Sequence, residues 1–322
     1  MNYQNLGRTG LKVSTICLGT MQFGWSADAK TSHTIMNKAV DLGINFFDTA
    51  DVYSRWAEPS YAGKSEEIIG EWLSTNTIKR EHLILATKVR GQMSDNPTDQ
   101  GLSRHHIMNS VKNSLKRLRT DYIDLYQVHS PDWETPLEET LETLTDLVRQ
   151  GLVRYIGCSN YPAWLLAKSL WKSDVHHLAR FDSLQPHYSL VHRAEFEREL
   201  MPLCLDQGVG VIPYSPLAAG FLTGKYGRDS ELPDSARAAR VKERYFSEQN
   251  FTAVDTLTAI GREHNATTAQ TAIAWVLANS AVSSAIIGAN SVEQLEETVK
   301  GADIQLSTEE KEKLDQTTVW QS

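Results

Sequence analysis

The sequence of 322 residues predicts an α/β fold, a (β/α)8 TIM barrel that forms one domain over residues 1–322 with long loops at its C-terminal rim. Two observations predict it. Short apolar runs, rich in Ile, Val, Leu and aromatic residues, alternate with amphipathic stretches, as in parallel strands joined by helical crossovers. Eight such units in a chain of this length match a closed barrel better than an open sheet.

Eight segments are predicted as the barrel strands. Each is seven or eight residues long, as is typical of strands buried on both faces. They are residues 13–20, 44–50, 82–89, 122–129, 153–160, 182–189, 209–216 and 283–289.

The stretches between these runs predict helices. Over residues 136–151 the leucines keep to one face of a helix, and Gly151 marks its end. Similar patterns predict helices at 64–73, 104–118, 195–208 and 252–265, and the uncharged stretch 265–292 predicts a buried helix followed by a buried strand. Two segments do not fit the alternation of strands and helices, residues 52–63 and 217–245. We expect long loops there that could act as lids over the C-terminal rim.

Composition narrows the class of protein. Apolar residues make up 41% and charged residues 22%, which indicates a folded chain. The formal net charge of −8 argues against binding to nucleic acid or to an anionic membrane. No run of 18 apolar residues predicts a transmembrane helix, and the first residues lack the apolar core of a signal peptide.

The three cysteines are Cys17, Cys158 and Cys204, and none has C-x-x-C spacing. Their apolar neighbours predict reduced thiols in the core, and no metal site is expected. A reducing cytoplasm is therefore the expected location. The sequence leaves the oligomeric state open.

Polar residues follow several of the predicted strands, where a barrel places its active site. Singly, Asp48 could cap a helix and His129 could be a core histidine. A buried Lys88, however, needs a carboxylate partner, and Asp48 on the adjacent strand could supply it. A nearby ammonium lowers the pKa of a phenol, so Tyr53 could exchange a proton near neutral pH. The set suits proton transfer to a carbonyl oxygen.

The segments around these residues carry a family resemblance. FDTADVYS, ATKV, DYIDLYQVHSPD and IGCSN resemble motifs of the aldo-keto reductases, in the same order. So do LGRTGLKVSTICLGTMQFG at the start, IPYSPLAAGFLTGKY and the late IIGANSVEQLEE. The resemblance extends over about residues 3–316. The short loops are similar to those of the bacterial branch of the family that resembles potassium-channel β-subunits.

The resemblance implies NADP(H)-dependent reduction of aldehydes or ketones to alcohols. Tyr53 would be the general acid, Lys88 and Asp48 would tune it, and His129 would orient the carbonyl group. We refer to these four residues as the tetrad. The implied partner is a small-molecule carbonyl compound. Reduction is expected to fall by orders of magnitude in Tyr53→Phe, while cofactor binding survives.

A cofactor site is implied by the same resemblance, and no G-x-G-x-x-G supports a Rossmann site instead. NADP(H) is favoured because Lys225 and Arg237 offer cations, although NAD is possible because the stretch 288–291 has none. The implied cofactor residues are Gly19, Thr20, Met21, Asp48, Ser159, Asn160, Gln185, Tyr214, Ser215, Leu217, Gly220, Leu222, Lys225, Arg237, Gly288, Asn290, Gln294, Glu297 and Thr298.

Three interpretations of individual residues stay open. Gln294 could serve only in a capping box with Ser291, or could also touch the adenosine. Trp25 and Trp56 could line a substrate pocket with His129, or could simply anchor loops. The same choice applies to Trp133, which could join that pocket.

Two alternative functions are also considered. The first is a cofactor-binding regulatory or interaction subunit with low turnover, because a channel β-subunit-like barrel can retain the tetrad. The second is a metal-dependent lyase or hydrolase that uses Asp48 and His129. This one is disfavoured because no second histidine or carboxylate has suitable spacing.

Overall fold

The computed structural model describes residues 1–58, 61–75, 77–228, 231–232 and 238–320. Two antiparallel strands come first, β1 (Tyr3–Asn5) and β2 (Lys12–Ser14). Eight parallel strands then form the main sheet. They are β3 (Ile16–Gly19), β4 (Phe46–Asp48), β5 (Ile84–Val89), β6 (Ile123–Val128), β7 (Val153–Ser159), β8 (Phe181–Gln185), β9 (Gly210–Val211) and β10 (Ala285–Ile287).

The main sheet is closed into a barrel. Its neighbour order runs β10-β3-β4-β5-β6-β7-β8-β9, with every pair parallel. A parallel bridge between Val211 and Val282 joins its two ends, and the Ile286 N–H donates to the Pro213 carbonyl over 3.0 Å. The predicted TIM barrel is thus confirmed, with one barrel strand in each predicted segment.

Helices surround this sheet. They are α1 (Ala29–Asp41), α2 (Lys64–Thr75), α3 (Arg104–Leu118), α4 (Leu137–Arg149), α5 (Ala163–His176), α6 (Met201–Gln207), α7 (Ala238–Tyr245), α8 (Glu248–Glu263), α9 (Thr268–Leu277), α10 (Val292–Val299) and α11 (Thr308–Thr317). The predicted helices are present, whereas α1, α5, α7 and α11 were not predicted. The predicted loop 217–245 contains a 3₁₀ segment at Ala218–Thr223 and ends in α7.

The hairpin β1–β2 corrects one sequence prediction. Residues 13–20 were predicted as a single strand, but the chain bends between β2 and β3. At this bend the Ser14 N–H donates to Asn45 Oδ1 and the Ser14 hydroxyl donates to the Ile16 carbonyl. The apolar pattern runs through the bend without a break, which is why the sequence did not reveal it.

The hairpin closes the floor of the barrel. Leu6 and Val13 are fully buried in one apolar cluster with side chains that project inward from the strands, including Phe46 and Leu125. Gly7 lies against β9 so closely that a Cβ on it would come within 2.4 Å of the Gly210 nitrogen. Only glycine permits this approach. Asp48, Lys88 and Gln185 lie at or next to the C-terminal ends of their strands.

Two further findings concern membrane spans and cysteines. Among the described residues, no helix is long and apolar enough to cross a membrane. Cys17, Cys158 and Cys204 are all free and buried, as expected.

Candidate active site

The centre of the site is a buried ion pair between adjacent strands. Lys88 in β5 and Asp48 at the end of β4 are both shielded from solvent. Lys88 Nζ donates to Asp48 Oδ2 over 2.5 Å, to the Thr49 carbonyl over 2.8 Å and to the Tyr53 hydroxyl over 3.0 Å. All three ammonium hydrogens thus have an acceptor, as a buried cation requires.

The pKa of Tyr53 differs from the expectation. Lys88 does lower the pKa of this phenol, but burial raises it by more, and the Asp48 carboxylate raises it further. The net pKa of Tyr53 lies above its ordinary value, so the expected net decrease was wrong. The reason is that desolvation disfavours phenolate, and the Asp48 charge offsets part of the Lys88 charge. Tyr53 therefore carries its proton at neutral pH.

His129 follows β6, and its backbone N–H donates to the Val89 carbonyl. Its ring meets the Tyr53 ring edge to face, with the centroids 5.9 Å apart. Burial lowers the pKa of His129 to about 3, and the Lys88 and Arg90 charges lower it in the same direction. The imidazole is therefore neutral at pH 7 and can donate only one ring N–H.

Two buried side-chain amides bind the second carboxylate oxygen of Asp48. Gln127 Nε2 in β6 and Gln185 Nε2 in β8 donate to Asp48 Oδ1 over 2.8 and 2.9 Å. Gln185 was a predicted site residue, but Gln127 was missed. The available signal was its spacing, because residues two apart on a strand share a face, and Gln127 precedes His129 by two.

Three further predicted residues join the same network. The Ser159 hydroxyl donates to the Gln185 carbonyl over 2.8 Å. Asn160 Nδ2 donates to the His129 carbonyl over 3.0 Å, and the Tyr214 hydroxyl donates to Asn160 Oδ1 over 2.9 Å. The rim from β6 to β9 is thus one connected hydrogen-bonded set.

Aromatic rings extend the site on the Tyr53 side. The Trp56 ring lies 6.1 Å from the Tyr53 ring and 5.9 Å from the Trp25 ring, both measured between centroids. Trp56 is 48% exposed, so this wall is open to solvent. Trp133 instead stacks on Trp164 of α5 at 5.9 Å and is mostly exposed.

A second buried acidic group lies next to the tetrad and was not predicted. Asp51 is fully buried, its N–H donates to the Lys88 carbonyl, and neither of its carboxylate oxygens has a hydrogen-bond partner among the described residues. Burial and the nearby Glu66 carboxylate raise the pKa of Asp51 to about 8. Glu66 itself accepts hydrogen bonds from Thr87 and Arg117.

Comparison with known proteins identifies the family. Residues 15–318 match the model described as the aldo/keto reductase family. The chain belongs to this family.

Relatives of this aldo/keto reductase agree with the match. "Uncharacterized oxidoreductase YrpG" of Bacillus subtilis (strain 168) is 41% identical over 313 residues, which cover 96% of this chain and 93% of that protein. "Probable voltage-gated potassium channel subunit beta" of Arabidopsis thaliana is 37% identical, with 94% and 92% covered. "Protein tas" of Escherichia coli (strain K12) is 36% identical, with 95% and 94% covered. The expected resemblance is confirmed, and the chain is an oxidoreductase.

Aldo/keto reductases use nicotinamide cofactors. The loop after β9, which the sequence predicts to contact the pyrophosphate, has an unusual backbone. Positive φ angles occur at Ser215, Ala218, Ala219 and Gly220. Such conformations are strained for residues with a Cβ, and runs of successive turn residues can form concavities of backbone N–H groups that bind anions. A Cβ on Gly220 would lie 3.2 Å from Lys225 Nζ, so a cation is close to this segment.

The other predicted residues of this loop have different environments. Leu217 is half-buried, Leu222 is fully buried and Lys225 is exposed. Arg237 lies outside the described residues. Tyr214 stacks on His187 with ring centroids 5.2 Å apart and planes 9° apart. His187 was not predicted as part of the site.

The loop after β3 is anchored to the strand end that carries Asp48. Gly19 pairs with Asp48 in the sheet, and the Thr20 N–H and hydroxyl both donate to the Asp48 carbonyl over 3.0 Å. Met21 is half-buried. The structure thus places these three predicted residues next to the tetrad.

The same loop contacts the loop after β10. Ser26 donates to Asn290 Oδ1 over 2.7 Å. Gln22 packs so closely on Gly288 that a Cβ there would overlap its amide. Gln22 Oε1 is also buried without a partner among the described residues. The loops predicted to hold the two ends of the cofactor are therefore adjacent.

Helix α10 begins with only half of the capping box that Ser291 and Gln294 could form. Its N-cap is Ser291, which accepts from the Gln294 N–H. The Gln294 side chain, however, accepts from the N–H of Asn290 rather than of Ser291, so the capping box is incomplete. The Thr298 hydroxyl donates to the Gln294 carbonyl, and Glu297 is exposed.

Proposed function

We propose that this aldo/keto reductase is an NADP(H)-dependent oxidoreductase that reduces aldehydes or ketones to alcohols, with Tyr53 as general acid. One observation carries the proposal. The Tyr53 hydroxyl lies 3.0 Å from Lys88 Nζ, which is itself held by Asp48. This arrangement provides a protonated phenol next to a group that stabilises its conjugate base.

In the forward direction the substrate carbonyl oxygen accepts the Tyr53 proton. The reduced nicotinamide, when bound, supplies hydride to the carbonyl carbon. The C=O bond thereby becomes a CH–OH group, the cofactor is oxidised, and Tyr53 is left as a phenolate that takes a proton from solvent. The Lys88 ammonium stabilises that phenolate, because the opposite charges are close and shielded from water.

His129 and the tryptophans would position the substrate. A neutral imidazole beside the Tyr53 ring can donate one N–H to the same carbonyl oxygen without adding a charge. Trp25 and Trp56 form the exposed wall next to Tyr53, which suits apolar or ring-bearing carbonyl compounds.

The cofactor would span the loops after β3, β9 and β10. Ser159, Asn160 and Gln185 would contact the carboxamide, and Tyr214 would stack on the nicotinamide ring. NADP(H) is proposed over NAD because Lys225 lies beside the Gly220 backbone, and Arg237 belongs to the same segment. A cation there favours a ligand with one more phosphate.

Two measurements test the proposal. Purified protein is titrated with NADPH and NADH, and turnover is then followed with a panel of aldehydes and ketones while the alcohol product is identified. We expect tighter binding of NADPH and measurable reduction of at least one carbonyl class. Tighter binding of NADH would overturn the NADP(H) preference, and absence of turnover across the panel would contradict the reductase function.

A second candidate is a cofactor-binding regulatory subunit with low turnover. It is favoured by the 37% identity to the Arabidopsis protein named as a probable channel subunit. This candidate requires dinucleotide binding with slow reduction of every carbonyl in the panel, so the same experiment separates the two functions.

A further inference from the structure

The two amides that flank Asp48 have only one possible orientation. A carboxylate oxygen accepts hydrogen bonds and cannot donate, so both Gln127 and Gln185 must turn their NH₂ groups towards Asp48 Oδ1. Asp48 cannot rotate away, because Lys88 holds its other oxygen over 2.5 Å. The ion pair therefore fixes which end of each amide is N and which is O.

Gln127 adds a second restraint to Gln185. Gln185 Nε2 also donates to Gln127 Oε1 over 3.2 Å, so both hydrogens of its amide have an acceptor. Among the described residues, no hydrogen bond is made to Gln185 Oε1. That oxygen is therefore the one part of the Gln185 amide left to accept a hydrogen bond from a ligand.

We propose that Gln127 is a positioning residue that binds both Asp48 and Gln185, keeps Gln185 Oε1 as an acceptor, and so selects dinucleotides whose nicotinamide ring carries a carboxamide N–H. This inference rests on the proposed function, because it assumes that Gln185 faces the nicotinamide. Gln127 itself is fully buried on β6 and acts only through its two partners.

The test uses three ligands that differ at the nicotinamide end. NADP+ carries the carboxamide, its 3-acetylpyridine analogue has a methyl group in place of the NH₂, and 2′-phospho-ADP-ribose lacks the ring. Dissociation constants are measured by calorimetry or tryptophan fluorescence, without turnover. We expect the unaltered protein to bind NADP+ more tightly than the analogue.

Gln127→Met keeps the length of the side chain and removes both hydrogen bonds. We expect its affinity for NADP+ to fall about 5- to 30-fold, as for one weakened buried hydrogen bond. The preference for NADP+ over the analogue should shrink by a similar factor, because Gln185 then keeps only its hydrogen bond to Asp48 and its amide is held less firmly. Binding of 2′-phospho-ADP-ribose should stay unchanged. Gln127→Asn, which withdraws the amide by one methylene, should behave in the same way.

Gln4→Met is the matched control. Gln4 Nε2 also donates two hydrogen bonds, to the carbonyls of Val282 and Ser283, but near the barrel floor. This variant shows how the loss of two side-chain hydrogen bonds affects stability when the bonds lie away from the site. We expect Gln4→Met to lower the unfolding temperature while its preference for NADP+ over the analogue is retained.

The outcomes separate the two proposals. If the unaltered protein binds none of the three ligands, the proposed function and this inference are both wrong. If it discriminates and both Gln127 variants discriminate equally well, only the inference is wrong. Equal loss of affinity for all three ligands, or failure of both variants to fold, would show that Gln127 is only a structural residue and would overturn the inference.

Discussion

The ammonium nitrogen of Lys88 lies 3.0 Å from the hydroxyl oxygen of Tyr53 and donates a hydrogen bond to it. Burial nevertheless keeps the pKa of Tyr53 above its ordinary value. The two effects have different uses: the raised pKa keeps the proton on the phenol before reaction, and the ammonium stabilises the phenolate that reaction leaves.

Tyr53→Phe removes the hydroxyl and little else. We expect carbonyl reduction to fall by about 10²- to 10⁴-fold, the usual contribution of a positioned general acid. Cofactor affinity should change less than about twofold, because the ring stays in place. Single-turnover rates and cofactor titration measure the two quantities, and near-normal turnover would refute the role of Tyr53.

Lys88→Met leaves the Asp48 carboxylate buried without its cation. We expect the free energy of unfolding to fall by about 3–5 kcal/mol, as when one partner of a buried pair is removed. Combining it with Asp48→Asn should restore part of that loss, because no unpaired charge remains. Urea unfolding of the single and double variants gives the coupling energy.

Lys38→Met is the control for this cycle. Lys38 pairs with Glu296 at the surface, where both side chains are partly exposed, so its loss should cost less than about 1 kcal/mol. Comparable losses for Lys38→Met and Lys88→Met would contradict the importance assigned to burial.

Asp51 predicts an unusual pH dependence. Its pKa is about 8 in the folded chain against an ordinary value of 3.8, so between these values the folded state keeps a proton that the unfolded state has released. Stability therefore falls as pH rises from about 4 to about 8, by at most about 1.4 kcal/mol per pH unit. Asp51→Asn removes this titration and should unfold at a higher temperature than the unaltered protein at pH 8.

Thermal unfolding from pH 4 to pH 9 measures the effect. Near pH 4 the two proteins should have similar stability, because Asp51 is then protonated in the folded state. Asp121→Asn, which alters an exposed carboxyl group, should follow the unaltered protein at every pH. Parallel pH curves for Asp51→Asn and the unaltered protein would show that Asp51 does not titrate as stated.

Lys225→Ala tests the preference for NADP(H). Removal of this cation should weaken NADPH binding about tenfold and NADH binding no more than about twofold, because only NADPH carries the additional phosphate. Lys242→Ala, at an exposed position on α7, is the control. Equal weakening of both cofactors would place Lys225 at the pyrophosphate instead.

Much of the barrel was readable because each buried strand is a short apolar run. The ion pair was also predictable, since Lys88 in an apolar run has few stable options without a carboxylate. The hairpin was not, because Val13 and Ile16 belong to one apolar pattern although they lie on separate strands.

The sequence could not predict how deeply the site residues are buried, or the combined effect of the opposite charges around them. The Tyr53 pKa required both quantities, and the presence of Lys88 alone suggested the wrong direction. Gln127 was missed because it lies within its strand, whereas the predicted site residues lie at or near strand ends. Asp51 was missed because nothing in its neighbours shows that Glu66 packs close to it.

The hairpin that closes the barrel floor also constrains the order of assembly. Gln4 bonds to the carbonyls of Val282 and Ser283, and Arg8 N–H bonds to the Gly208 carbonyl. The hairpin residues thus cannot dock until the segments that lead into β9 and β10 are in place. Contacts this distant along the chain form slowly, so the apolar end of the barrel stays open to water until late in folding.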